Sequence, residues 1–331
     1  MYQKDTLDAY AIAQTTHRKG FVRATTFTLN DGAFKNLDTL TATFLNAVVN
    51  ANGIADTKFR QIRLCCEIRD ARIPFASANR ELAALTKGKK RIIVLNKKDM
   101  ADPKETERWV QALRGNGQTA LAINASKDRP AKRLYEEAIS LLQEKQEKRL
   151  ARSIINREVR MLVYGIPNSG KSTFINALSK KRSAAVGDRP GFTKQQQWIK
   201  TDADLLLVDT PGILPKKLGE TQALHLAFTG AIRDDILPLQ DVGYALLTLL
   251  LRCAPEAIVS RYALSDASAE PLAVMEAIAQ HTGSLLKGGE VDYTRTAQIM
   301  IDDFRKLHFG ALTLERAADF AEREGNKGET I

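Results

Sequence analysis

The chain has 331 residues, 44% hydrophobic and 27% charged, with a formal net charge of +10. That length accommodates two domains, the balance is that of a globular rather than a disordered chain, and no apolar run is long enough to span a bilayer. Three cysteines, the adjacent Cys65 and Cys66 with Cys253, form neither a disulfide framework nor metal-ligand spacing, so reduced, partly buried thiols in a cytoplasmic protein are expected. Residues 1–10 carry no secretory signal and no transit-peptide composition. The basic excess serves contact with a polyanion or solubility alone, and charge by itself does not decide between them.

Asp38 to Val49 places Leu40, Phe44, Leu45 and Val48 on one helical side, and Asn50-Ala51-Asn52-Gly53 closes that segment. Ile62–Ile68 reads as a strand. Arg91–Leu95 reads as a buried strand, being short, β-branched and followed at once by a polar turn. Pro103–Arg114 reads as a helix with Asp102 as N-cap and proline at its first position. Thr119–Ile123 is a strand and Ala131–Ala151 a long charged helix. Val159–Tyr164 is a strand, Lys171–Lys180 a helix after a glycine-rich loop, and Gln197–Lys200 and Leu205–Val208 are further strands. Beyond these, Ile232–Leu251, Pro271–His281 and Thr294–Lys306 have helical spacing only.

Alternating strands and helices predict an α/β domain, a mostly parallel sheet with helices on both faces, followed by an all-helical C-terminal domain. The expected division is 1–60, of uncertain structure, 61–232 for the α/β domain and 233–331 for the helical one.

Gly165-Ile166-Pro167-Asn168-Ser169-Gly170-Lys171-Ser172 fits the phosphate-binding pattern G-x-x-x-x-G-K-[ST], with a strand before it and a helix after it. Inward-turned N–H groups cradle phosphate oxygens, and the helix N-terminus adds a positive field. Asn168, Ser169, Gly170, Lys171, Ser172 and Thr173 are the candidate phosphate contacts. Lys171 is expected to reach the β- and γ-phosphates, and the Ser172 hydroxyl to bind Mg²⁺. Asp209-Thr210-Pro211-Gly212 ends a hydrophobic strand; Asp209 is a second Mg²⁺-directed group, through water, and the Gly212 N–H is suited to sensing the γ-phosphate.

Asn96-Lys97-Lys98-Asp99 follows the strand RIIVL. Asp99 can accept from guanine N1–H and N2–H₂, a pair that adenine lacks. Asn96 can tie this loop to the phosphate loop, and the Lys97 stem can lie on the base. Asn124-Ala125-Ser126-Lys127 resembles the S-A-K loop, and Ser126 is its candidate guanine contact. GTP is thus the expected substrate. The guanine motifs precede the phosphate loop, the reverse of the usual order, so the domain reads as circularly permuted. The segment after Asp209 then runs directly into the helical domain, where nucleotide-dependent movement could act.

With these motifs in this order the chain resembles the YlqF/RbgA-type circularly permuted GTPases, over about Arg69 to Leu314. The resemblance includes Asp70-Ala71-Arg72-Ile73-Pro74, Asn96–Asp99, Gly165–Thr173, Gly187-Asp188-Arg189-Pro190-Gly191-Phe192-Thr193, Asp209–Leu214, Thr229–Ile232 and Lys287–Asp292. It implies a GTP-hydrolysing factor in assembly of the large ribosomal subunit, gated by its nucleotide, with a C-terminal domain contacting rRNA. No membrane partner is implied, and a monomer is favoured. The W-F-P-G-H-M-like start of that family has no counterpart in residues 1–60, and His17 lacks its flanking pattern. The competing reading is a nucleotide-gated RNA- or ribosome-binding module with little hydrolysis. Thr193 is the candidate switch threonine on Mg²⁺, or a plain loop residue, and Lys171, Thr193 and Gly212 are the candidate catalytic groups. Ile213 stands where Ras-like proteins orient water with Gln, which predicts slow intrinsic turnover. Asn168 either ligates a K⁺ ion, as the resemblance to potassium-dependent GTPases suggests, or shapes its loop. Arg295, Arg305 and Lys306 are the RNA-contact candidates, or parts of a solvated helix face.

Overall fold

The computed structural model describes residues 61–150, 158–179, 198–201, 204–210, 212–215 and 218–320. The expected helix at 38–49, His17, Thr193 with the 187–193 motif, and Pro211 lie outside the described residues. Two compact units result. Among the described residues, Leu218–Leu314 forms one; those before it, together with those from Glu315 onward, form the other. The expected boundary at 232/233 differs at both ends: Glu220–Phe228 joins the helical unit, and the chain returns to the α/β unit at Glu315.

In the α/β unit the described elements are β1 (Leu64–Asp70), α1 (Arg80–Leu85), β2 (Lys90–Asn96), α2 (Pro103–Gly115), β3 (Thr119–Ala122), α3 (Ala131–Leu150), β4 (Val159–Gly165), α4 (Lys171–Leu178), β5 (Trp198–Lys200) and β6 (Leu205–Asp209). The strands form one sheet in the order β3-β2-β1-β4-β6-β5, parallel except for β5. Apolar strands of this kind bury both faces. Leu64, Cys66 and Ile68 pack with Phe174 and Leu178 of α4 on one face, while Ile93, Leu95, Trp109 and Leu113 pack with Ala317 and Phe320 on the other. Asp102 caps α2 by accepting from Glu105 N–H at 2.7 Å. The register sets Asp70 beside Asn96, Ile68 beside Gly165 and Val163 beside Asp209. The carboxyl ends of four neighbouring strands therefore meet at one edge, where open α/β sheets bind ligands.

The helical unit contains α5 (Glu220–Phe228), α6 (Leu239–Cys253), α7 (Pro255–Tyr262), α8 (Pro271–Thr282) and α9 (Tyr293–Arg305). The helix expected over 232–251 begins only after Pro238, since proline cannot continue a helix that precedes it. Pro255 starts α7 in the same way, at 114° to α6. Helices α6 and α9 approach so closely at Gly243 that a Cβ there would lie 2.3 Å from the Cβ of Ala297.

Candidate nucleotide-binding site

The phosphate loop is held by contacts that leave no room for side chains. A Cβ at Gly165 would lie 2.4 Å from the Ile68 carbonyl, and one at Gly170 would lie 2.3 Å from Asn96 Nδ2. Gly170 adopts φ 83°, which glycine reaches without strain, and Asn168 adopts φ 56°. Ser169 Oγ donates to Ile166 O at 2.9 Å and closes the loop. Gly170 is the N-cap of α4 and provides no side-chain acceptor, so the helix presents its first-turn N–H groups toward the loop. Ser172 and Thr173 lie half-buried in that first turn. Lys171 is buried and ion-paired with the buried Asp209. These are one ammonium, one carboxylate, the hydroxyls of Ser172 and Thr173 and a nest of amides, a set of hard groups that suits phosphates with Mg²⁺.

Strand β2 delivers the second half of the site. Asn96 is buried and spans three segments: its Nδ2 donates to Ser169 O at 2.9 Å, and its Oδ1 accepts from Ala125 N–H at 3.0 Å. Lys97 takes φ 59°, and its ammonium donates to Asn168 O at 2.6 Å. Asp99 lies exposed in a 3₁₀ turn, Lys98–Met100, between these anchors and the solvent. Ser126 is brought to the same loop cluster, but its N–H donates to Asn124 Oδ1 at 2.9 Å. Contact with a base would require that amide to share or leave this bond.

Asp70 emerges as a further member of the site, one that motif reading quoted without a role. Its carboxylate accepts from Arg72 Nε at 2.9 Å and NH2 at 2.8 Å, and lies 3.1 Å from the Lys97 ammonium. Burial opposes its charge, but Arg72 and Lys97 outweigh burial and hold the carboxyl well below the usual range. Only side-chain proximity across β1 and β2 reveals this, and no spacing rule encodes it.

Beyond β6, Thr210 Oγ1 donates to Val163 O at 3.1 Å. Gly212 lies against the phosphate loop, where a Cβ would come within 2.9 Å of Pro167 Cα. Ile213 donates its N–H to Gly165 O at 3.2 Å and buries its side chain with Leu82, Leu162, Tyr164 and Val208. Cys65 and Cys66 are buried, and burial raises both thiols, Cys65 to about 11; Cys253 is exposed, unlike the partly buried state expected of it.

The RNA-contact candidates change most. Arg305 holds the helical unit together: Nε donates to Phe228 O at 3.0 Å, NH2 to Ala227 O at 2.7 Å, and both terminal nitrogens bond Asp234. It is a clamp on the end of α5, not a cation offered to solvent. Arg295 and Lys306 are exposed. Residues 218–314 carry seven Lys and Arg against twelve Asp and Glu. The basic excess therefore lies outside residues 218–314. Among the described residues no single helix is long and apolar enough to cross a membrane.

Residues 160–256 match the family described as 50S ribosome-binding GTPase. Proteins named ribosome biogenesis GTPase A are 39% identical over 267 residues in Bacillus cereus, covering 80% of this chain and 90% of the relative, and 42% over 263 residues in Bacillus licheniformis, covering 79% and 93%. A GDP-bound structure of TM YlqF matches with TM-score 0.55 and 26% identity over 78% of this chain and 96% of the other. GNP-bound YlqF from T. maritima matches with TM-score 0.53 and 26% identity, over 78% and 94%. The phosphate loop and the strand end at Asp209 lie within residues 160–256, and the chain belongs to the ribosome biogenesis GTPase A family, as a GTP-binding, GTP-hydrolysing ribosome biogenesis factor.

Proposed function

We propose that the protein acts in assembly of the large ribosomal subunit, and that GTP or GDP in its site decides whether it associates with ribosomal particles. The observation that carries this reading is the seating of Gly212 against the phosphate loop, only a few residues before the helical unit begins at Leu218. A γ-phosphate that draws on the Gly212 amide acts directly on that connection. The description of the matched family as 50S-binding supports the choice of subunit.

In this reading Asp99 selects guanine, assisted by Lys97 and Ser126, while Asn96 joins base and phosphate loops. With nucleotide bound, Lys171 would exchange Asp209 for the phosphates, and Ser172 directly, Asp209 through water and Thr193 as the switch threonine would hold Mg²⁺, which would neutralise phosphate charge. The buried Ile213 cannot orient the attacking water, so turnover is slow until a ribosomal particle completes the site. Contacts to rRNA phosphates by the helical unit rest on Arg295 and Lys306. The experiment is sedimentation with purified large subunits in a non-hydrolysable GTP analogue, in GDP and without nucleotide. Association is expected with the analogue and not with GDP, and it is expected to weaken steadily as salt rises. Equal pelleting in all three conditions would reject nucleotide gating.

We further propose that Asn168 would help hold a K⁺ ion, which would supply the charge compensation that other GTPases obtain from an arginine. Asn168 is an exposed residue of the phosphate loop, and its backbone carbonyl accepts from the Lys97 ammonium, which supports this reading. Steady-state GTP hydrolysis is expected to be faster in potassium than in sodium at matched ionic strength, and Asn168→Ala is expected to erase the difference. Identical wild-type rates in both salts would sink the ion.

A further inference from the structure

The two stretches of chain that lead into and out of the helical unit, ending at Ile213 and beginning at Glu315, both hydrogen-bond to one loop of the α/β unit. That loop joins β1 to α1. On one side Asn79 Nδ2 donates to Ile213 O at 2.9 Å. On the other side the Glu315 carboxylate accepts from Phe75 N–H at 2.6 Å and from Ala76 N–H at 3.0 Å. The return segment is secured further by Trp109 Nε1, which donates to Glu315 O at 2.9 Å, and by Ala317 N–H, which donates to Glu105 at 2.6 Å. The loop itself is internally stiff: Ser77 Oγ donates to Ile73 O at 2.6 Å and accepts from Asp70 N–H at 3.1 Å.

Asn79 is 1% exposed, and both ends of its side chain have partners. Its Oδ1 caps α1 by accepting from Leu82 N–H at 3.0 Å, a task that serine or aspartate performs equally well. Its Nδ2 reaches Ile213 O, which those residues cannot reproduce with a fixed amide donor. Ile213 is thus held from both sides, by Gly165 O at its N–H and by Asn79 at its carbonyl, with Gly212 pinned against the phosphate loop between β6 and this anchor.

We propose that Asn79 is a positioning residue for γ-phosphate sensing: it holds the Gly212 amide at the phosphate loop and couples its movement to the Glu315 contacts through the Phe75–Asn79 loop. The proposal rests on the nucleotide-gated reading above. When the Gly212 amide engages a γ-phosphate, the Asn79 link is retained and the loop is stiffened. When the amide is released, the link loosens, and the amides that hold Glu315 loosen with it. One loop thereby reports the nucleotide to both chain connections of the helical unit.

The test uses the full-length protein and no ribosomal particles. Binding of GDP and of a non-hydrolysable GTP analogue is measured for wild type, Asn79→Ser and Asn79→Ala, together with hydrogen exchange over Phe75–Asn79 and Glu315–Phe320. Serine keeps the cap on α1 and removes the amide donor. It is expected to weaken the analogue about fivefold, the loss of one ordinary hydrogen bond, and to leave GDP unchanged. Protection of Phe75 and Ala76 that the analogue induces in wild type is expected to vanish in the variant. If serine matches wild type and only alanine shifts affinity, Asn79 is a helix cap and the proposal fails. An affinity shift without the exchange response breaks the coupling to Glu315 and overturns it equally. Failure of the gating reading is read separately, as equal pelleting in the sedimentation experiment above, whereas these affinities and exchange rates alone decide the role of Asn79.

Discussion

Lys171→Ala is expected to lower kcat/KM for GTP by at least ~10²–10³-fold, the scale of removing one charge-stabilising donor from a water-poor site. Lys171 begins α4 at the mouth of the loop and is buried beside Asp209, the position from which the proposed site would reach the phosphates. Removal also leaves Asp209 as an uncompensated buried carboxylate, which costs about 3–5 kcal/mol of stability where no rearrangement relieves it. The two effects separate in a double variant. Lys171→Met with Asp209→Asn is expected to regain much of the thermal stability lost in Lys171→Met alone, while turnover stays at the floor. Single-turnover hydrolysis and thermal melting on the same preparations check both. Hydrolysis by Lys171→Ala at the wild-type rate would mean that the phosphate loop has been wrongly assigned.

The second large effect falls on base choice. Asp99→Asn replaces an acceptor of two charge-assisted hydrogen bonds with a neutral group that donates on one side. At about 1.5–3 kcal/mol for each bond to a charged group, GTP affinity is expected to fall at least ~10²-fold, and xanthosine triphosphate, whose C2 carbonyl suits an amide donor, to become the preferred nucleotide. Asp99 is exposed in its 3₁₀ turn, while Asn96 and Lys97 carry the contacts that fix the loop. The fold is therefore expected to keep its stability within about 0.5 kcal/mol, as exposed substitutions usually do. Competition binding with ATP, GTP and xanthosine triphosphate settles the point: wild type that takes ATP and GTP equally well would reject guanine recognition.

Local chemistry made several parts of this molecule readable. Arg91–Leu95 is short, β-branched and bounded by a polar turn, and it became the core of β2. Asp102-Pro103 is a helix start written in two residues, and it became the start of α2. The phosphate loop showed itself because strand, glycines and helix occur in one stretch. What stayed hidden depends on residues far apart in the chain. Helix α1 has six residues and is sustained by Asn79, Glu67 and Ile213, none of which contributes periodicity. Strand β1 buries Glu67, Arg69 and Asp70, so its charges broke the apolar run by which a central strand is recognised, and its end was set two residues early. Arg305 looked like a solvated cation on a helix, and only the carbonyls at the end of α5 show what it holds. The return of the chain at Glu315 depends on two backbone amides some 240 positions away, at Phe75 and Ala76, and sequence spacing carries no trace of that pairing.

The sheet order has a consequence for how the protein is made. Strand β1 lies between β2 and β4, and its two edges pair with segments on either side of the long helix α3. Synthesis proceeds from the N-terminus, so β1 is complete at Asp70, and β2 with the loop after it follows, well before Val159 of β4 is joined to the chain. At ~5–20 residues per second that interval is on the order of ten seconds. Throughout it one edge of β1 offers unpaired amides and carbonyls, the kind of edge that recruits foreign strands. The half of the sheet made first is thus the half most in need of shielding, and it gains the phosphate loop and its missing strand neighbour from the same few residues, Val159 to Lys171.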